Sequence, residues 1–202
     1  MTVRAVYFDL GGVIVRTEFQ APRQHLADHV GIEYEGLIKL VFESESSRQA
    51  SIGAISEDEH WAAVIRRLHL PESETQAIRD DFFAGDVTDR NLLDFMRGLR
   101  KQVKVGLISN AWSGLRPWII REKFEDAFDA MTISAEAGVM KPDARIYQIA
   151  LETLGVRPEE SVFLDDVIEN VKGARAVGMA AIHFTQPEQA LKELKQLLAN
   201  PE

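Results

Sequence analysis

The sequence predicts an α/β fold, a doubly wound, Rossmann-like parallel sheet with an inserted all-helical cap. Three observations carry that expectation. Short apolar, β-branched runs recur along the chain. Each is followed by a polar or small-residue turn and then a helix-period segment. One long stretch, 16–88, breaks this alternation with helical signals alone. Near-continuous apolar runs of this length suit strands buried on both faces, as in a parallel sheet.

In chain order, 3–10 reads as the first strand. Within 16–88, Pro22 opens a helix that Gly31 closes, and 37–45 reads as a second. Ser56-Glu57-Asp58-Glu59 is a capping box ahead of a helix over 61–68, and Pro71 begins a fourth that ends near Phe83. No convincing buried strand lies among them. This stretch is too long for a simple crossover, so the core is expected over 1–15 and 89–202 and the cap over 16–88. Strands resume at 103–109 (VKVGLIS), 131–134, 161–164 and 180–183. Between them Asp89 caps a helix through LLDFMRGLRK, Asp143 caps another that stops near Gly155, and 167–177 ends at Gly178. Pro187 starts the last helix.

Composition narrows the function. The 202 residues are 46% hydrophobic and 27% charged, enough apolar material for a core. A formal net charge of −9, with no Lys/Arg-rich run, argues against a nucleic-acid partner. The absence of cysteine excludes disulfides, thiolate zinc sites and thiol catalysis. The N-terminus lacks a charged start and a small-residue cleavage site, and no apolar run approaches the roughly 20 residues that span a bilayer. A soluble, cytoplasmic protein with no membrane partner is expected.

In a doubly wound sheet, ligands bind at the carboxyl ends of the strands. There the sequence offers Phe8-Asp9-Leu10-Gly11-Gly12, Ser109-Asn110, Lys141-Pro142-Asp143, and Asp165-Asp166 with Asn170 beyond. Singly each has a bland explanation. Asp-x-Gly is common in turns, Ser-Asn caps helices, a lysine before proline is usually solvated, and an Asp pair can cap a helix. Together they point elsewhere. Carboxylates at adjacent strand ends repel unless a cation intervenes. The hard oxygens of Asp9 and Asp166 suit Mg²⁺, while Lys141 and the Ser109 hydroxyl could hold a phosphoryl group.

This arrangement resembles the haloacid dehalogenase superfamily, in particular its phosphatase-rich subfamily I with a helical cap. The order matches across nearly the whole chain: Asp9, Ser109, Lys141 and Asp166 stand in motifs one to four. The resemblance implies that Asp9 is the nucleophile and forms an aspartyl-phosphate. It also implies that Asp9, the Gly11 backbone carbonyl and Asp166 hold Mg²⁺. Ser109 would bond the phosphoryl group, Lys141 would pair with it and with Asp9, and Asp165 and Asn170 would be outer ligands or orienting groups. The substrate class implied is a small phosphorylated metabolite.

The sequence departs from the pattern at one position. Phosphatases of the family usually carry a second aspartate two residues after the nucleophile, where Gly11 stands here. Loss of that acid/base typically removes about 10²–10⁴ of rate. A sugar 1-phosphate, whose leaving oxygen needs little protonation, would tolerate the loss. The similarity of the Asp-Leu-Gly-x-Val opening to glucose-1-phosphatase-like proteins favours that substrate. The alternatives are a 2-haloacid dehalogenase and a catalytically weak phosphometabolite-binding or regulatory module.

The cap is less informative. Trp112, after Ser109-Asn110, is a candidate wall of the substrate pocket. Arg48 is a candidate substrate contact, although a solvated helix-end arginine is the favoured reading. Phe82-Phe83 and Trp61 read as packing.

Overall fold

A computed structural model describes residues 2–199. β1 (Ala5–Phe8) lies at the centre of a five-stranded sheet of order β5-β4-β1-β6-β7. The other strands are β4 (Lys104–Ser109), β5 (Ala130–Ile133), β6 (Ser161–Asp165) and β7 (Ala180–His183), and every pairing in this sheet is parallel. Phe8 aligns with Leu107 of β4 and with Leu164 of β6. The carboxyl ends of three neighbouring strands, those bearing Asp9, Ser109 and Asp165, therefore meet where the chain switches from one half of the sheet to the other.

Strand residues alternate between two apolar layers, because successive side chains point to opposite faces. Val6 and Phe8 pack into a cluster with α6 (Arg90–Leu99), α7 (Leu115–Arg121) and α11 (Pro187–Ala199). Ala5 and Tyr7 pack on the other face with α9 (Ala144–Leu154) and α10 (Ile168–Ala176). A single turn, α8 (Ser134–Ala137), follows β5. Both faces are thus covered, which is why the strands read as unbroken apolar runs. Among the described residues no helix is long and apolar enough to cross a membrane.

The helices expected in the inserted stretch are present: α1 (Ala21–Val30), α2 (Tyr34–Phe42), α4 (Glu57–Arg67) and α5 (Thr75–Phe83). Gly31 closes α1 in a left-handed conformation, and Ser56 and Glu59 form the capping box of α4. Two features went unread. The expected helix over 37–45 stops at Phe42, and Ser44 caps a separate helix, α3 (Glu45–Ser51), by accepting from the Ser47 N–H at 3.2 Å. The stretch also contains short strands at its edges. β2 (Val15–Thr17) pairs antiparallel with β3 (Asp86–Thr88), Val15 opposite Thr88 and Thr17 opposite Asp86. With three residues each, partly exposed, they carry too little alternation to be seen in sequence.

The helical layer has its own apolar cluster, in which Leu37, Val41, Trp61, Val64, Ile78 and Phe82 surround a contribution from the core, Trp112. It leaves and rejoins the sheet through the β2–β3 ribbon. That ribbon is anchored by Asp89, whose carboxylate accepts the Leu92 N–H at 2.9 Å to cap α6 and pairs with Arg16 at 2.9 Å. The Asp89 N–H also donates to the Ile14 carbonyl. Asp89→Ala should cost about 1–2 kcal/mol, the usual worth of an N-cap with a part-buried ion pair added. Urea denaturation monitored by circular dichroism measures it; a loss below a few tenths of a kcal/mol would show that the ribbon is not held by this side chain.

Candidate functional site

At the strand ends the chain assembles a buried charge cluster around one lysine. The Lys141 side chain is 0% exposed. Its ammonium donates to Asp9 Oδ2 at 2.8 Å, to Asp165 Oδ2 at 2.7 Å and to the Ile108 carbonyl at 3.0 Å. An ammonium has three N–H donors, so all are spent within the protein.

Each partner is fixed by its element. Asp9 follows β1, receives the Leu10 N–H on Oδ1 at 2.7 Å, and its own N–H donates to the Leu164 carbonyl. Asp165 ends β6, fully buried, and accepts from the Val167 N–H at 2.8 Å and from Asn170 Nδ2 at 3.1 Å. Asn170 is held through its own carbonyl by the Tyr147 hydroxyl at 2.8 Å. Of the two residues expected as outer ligands or orienting groups, Asn170 bonds Asp165, and Asp165 bonds Lys141 directly.

Asn110, expected at the substrate, has its carboxamide committed elsewhere. Oδ1 accepts the Lys141 backbone N–H at 2.7 Å while Nδ2 donates to the Lys141 carbonyl at 3.0 Å. This two-point clamp positions the lysine. Ser109 is buried (2% exposed) at the end of β4, one residue from the Ile108 carbonyl that receives Lys141. Arg48, a candidate substrate contact, is not brought to the cluster. It is 59% exposed, bonds Glu45 at 2.9 Å and the Glu43 carbonyl at 2.7 Å, and does not line the cavity described below.

Asp9, Asp165 and Asp166 each offer a carboxylate oxygen within 4.8 Å of the others, the one such acidic group among the described residues. Asp165 is saturated by protein donors, which leaves Asp9 and Asp166 as the open oxygens. Asp166 lies over Gly12: a Cβ at Gly12 would come within 2.1 Å of its Oδ2, and Gly12 also has φ +72°. Only glycine fits there. The neighbouring Gly11 carbonyl receives no backbone hydrogen bond, since the turn closes through Gly12 N–H to Val15 O and Val15 N–H to Leu10 O. Two carboxylates and a free carbonyl are hard oxygen donors of the kind Mg²⁺ takes, so the residues present fit that ion. The acidic crowding has an electrostatic signature. Burial pushes the Asp9 carboxyl up, to about 7, against the opposing pull of Lys141, and Asp165 adds to the rise. Burial and Asp165 also raise Asp166.

A cavity of about 900 Å³ opens between the core and the helical layer, lined by Asp166 and by the residues after Asp9, while Asp9, Ser109 and Lys141 lie behind that lining. Leu10, Gly11, Gly12 and Asp166 form its floor, and Trp112 forms part of its wall. Residues not singled out in the sequence complete it, notably Phe42 at the end of α2 and the Glu57–Arg79 pair, whose oxygen and nitrogen are 2.5 Å apart. Glu57 ties the layers together: its N–H donates to Ser113 Oγ at 3.2 Å, and a Cβ at Gly114 would collide with its carboxylate at 1.9 Å. No sequence signal distinguishes Phe42 or Glu57 from ordinary helix residues, because their place depends on how the two layers meet.

Comparison with known proteins agrees with this architecture. The family model for haloacid dehalogenase-like hydrolases matches residues 3–178. The sesquiterpene phosphatase astK of Aspergillus oryzae is 29% identical over 199 residues, covering 98% of this chain and 97% of its own. Bifunctional epoxide hydrolase 2 of Sus scrofa is 29% identical over 226 residues; it uses all of this chain, which spans 40% of that longer protein. A family enzyme from Bacteroides thetaiotaomicron, solved with magnesium and inorganic phosphate, superposes with a TM-score of 0.75 at 21% identity, over 89% of this chain and 93% of its own. At that identity the likeness is one of fold.

The raised Asp9 gives a pH dependence of stability. Its unfolded value is 3.8 and its folded value about 7. The folded state therefore keeps a proton that the unfolded state has released, and stability falls as pH rises from near 4 through 7. Asp9→Asn removes this titration. In chelator-treated buffer the variant should gain on the wild type by roughly 2 kcal/mol between pH 5 and pH 8. Melting curves across that range provide the measurement, and a pH-independent difference would contradict the assignment of Asp9 as the strained carboxylate.

Proposed function

We propose that this chain, which belongs to the haloacid dehalogenase-like hydrolases, is a Mg²⁺-dependent phosphatase of a small phosphorylated metabolite, with residues 16–88 acting as a subfamily I-type helical cap over a core formed by 1–15 and 89–202. The observation that carries this reading is the three-way contact of Lys141 with Asp9, Asp165 and Ile108, with the Asp166 carboxylate and the Gly11 carbonyl open beside it. The names of relatives agree with it: astK is a sesquiterpene phosphatase, and Phosphatase MT3486 of Mycobacterium tuberculosis is 27% identical over 190 residues.

Asp9 is the nucleophile of the proposed reaction. One of its oxygens attacks phosphorus, the P–O bond to the alcohol breaks, and the alcohol leaves as an oxyanion that takes its proton from solvent. Water then attacks the aspartyl-phosphate, freeing phosphate and restoring the Asp9 carboxylate. Lys141 holds Asp9 in place and favours its ionised, attacking form against the burial that opposes it. Ser109 is the hydrogen-bonding partner of the phosphoryl group, and Asn110 and Asn170 fix Lys141 and Asp165. Asp9, the Gly11 carbonyl and Asp166 are the residues that would hold Mg²⁺, which supplies positive charge against the phosphoryl oxygens.

Dehalogenation is disfavoured by the same cluster. A haloacid would bring a carboxylate against Asp9, Asp165 and Asp166 with every Lys141 donor already used. A substrate that shares the site with a divalent cation meets no such repulsion.

Assayed with a phosphometabolite panel, including sugar 1- and 6-phosphates, the wild type should release phosphate with Mg²⁺ and lose at least about 100-fold with chelator. Asp9→Asn should be inert while keeping its fold. Chloride release from 2-chloropropionate without metal, or phosphate release by the Asn variant, would reverse the reading. A second expectation concerns Gly11. A Cβ there meets nothing within 4 Å, so an aspartate can be accommodated. Gly11→Asp should raise kcat/KM for an alkyl phosphate, whose leaving group needs a proton, about 10-fold or more over any change for p-nitrophenyl phosphate. Equal changes for the two substrates would mean that another group already supplies the proton.

A further inference from the structure

Resting on the phosphatase reading, we infer that the group esterified to the phosphate is an uncharged, largely apolar body, held between the helical layer and the core, and not a sugar or a second anionic group. A phosphoryl group at Asp9 would leave most of the 900 Å³ cavity for the rest of the substrate, since this volume lies near the upper end of the roughly 300–1,000 Å³ of small-molecule pockets.

The aromatic and apolar part of the wall comes from both layers. Phe42 and Phe83 face in from the helical layer, and Trp112, Leu115 and Trp118 from the core. Phe42 stacks on Trp112, with ring centroids 5.9 Å apart and planes inclined by 25°, and meets Phe83 edge-on at 6.3 Å. Phe42 is 43% exposed although it is part of an aromatic cluster. An apolar ring left partly open over a cavity gains by being covered, at roughly 25 cal/mol for each Å² of apolar surface removed from water.

The charges lining the cavity argue the same way. Its arginines all have carboxylate partners: Arg16 with Asp89 and Glu18, Arg23 with Asp86, Arg79 with Glu57 and, at 3.9 Å, Arg121 with Glu122. Asp80 and Asp166 add negative charge with no arginine or lysine partner in ion-pair range. A second phosphate or carboxylate on the substrate would meet arginines that each already have a carboxylate partner, together with the unpaired carboxylates of Asp80 and Asp166. Uncharged polar side chains are few: the Thr17 hydroxyl is already donated to Asp86 at 2.7 Å, which leaves that of Thr88. A sugar would find few of the free, convergent hydrogen-bonding groups its hydroxyls need. This departs from the sugar 1-phosphate suggested by the Asp-Leu-Gly-x-Val opening.

A series of 4-n-alkylphenyl phosphates, from methyl to octyl, isolates the effect. The leaving phenol is nearly constant in acidity along the series, so the missing acid at position 11 weighs equally on every member. With Mg²⁺ present, kcat/KM should climb about fourfold per methylene until the cavity is filled, the fold-change expected for burying each CH₂. Phe42→Ser, at a half-exposed position, should flatten the climb. Binding of the matching 4-n-alkylphenylphosphonates, read from tryptophan fluorescence, should tighten in parallel. Turnover that is flat or falling with chain length overturns this inference and leaves the phosphatase assignment standing. Absence of turnover for every ester removes the phosphatase assignment instead, and the phosphonate series then decides: tightening with length supports the apolar cavity, and equal dissociation constants reject it.

Discussion

The ammonium of Lys141 is the interaction on which the rest of the site depends. Asp9 and Asp165 stand on adjacent strands with almost no access to water, and their mutual repulsion would grow steeply as solvent is excluded. One buried cation satisfies both, at 2.8 and 2.7 Å, and its third donor closes on the Ile108 carbonyl of β4, on the other side of β1. The arrangement is tight enough that even the lysine backbone is clamped, by Asn110 on both its N–H and its carbonyl. Burial nevertheless outweighs the pull of Lys141, so the Asp9 carboxyl is raised to about 7 and its ionisation is made at a cost in folding stability. That is a common balance in catalytic sites, where groups are kept less comfortable than a stability optimum would allow.

The sheet explains how residues so distant in sequence come together. With β1 at the centre and β4 and β6 on either side, three carboxyl ends are neighbours by topology alone. The loop that carries Lys141 then has to lie across the same edge, and the Asn110 clamp fixes where it crosses. Chemistry follows from strand order, and pocket shape from what is laid over it.

Much of this could be read from the chain before any coordinates. β1, β4, β6 and β7 announce themselves as apolar runs because both faces of the sheet are covered, and Asp89, Asp143 and the Ser56–Glu59 box mark helix starts through local hydrogen bonding. Asp9, Ser109, Lys141 and Asp166 stood out only in combination, as acidic groups, a hydroxyl and a cation near strand ends whose order resembles that of the haloacid dehalogenase superfamily. What stayed hidden was non-local. The three-residue strands β2 and β3 are defined only by each other. Asn110 could be recognised as polar at a strand end, but its true partner, the backbone of Lys141, lies 31 residues away. Asp165 was legible as acidic and its central role was not, because that role depends on register between β6 and the Lys141 loop. Phe42 looks like any other apolar residue on α2 until the helical layer is seen against Trp112.

The β2–β3 ribbon has a wider meaning. The points where the helical layer departs and returns are hydrogen-bonded neighbours, Thr17 opposite Asp86. To the core, everything between them is therefore a long insertion in a closed hairpin, and the entropy of closing such a loop grows only slowly with its length. An exchange of α1–α5 for another bundle of different size would leave the Lys141 cluster nearly undisturbed. Reaction and recognition are in this way separately inheritable: one half of the molecule can be kept while the other is replaced wholesale.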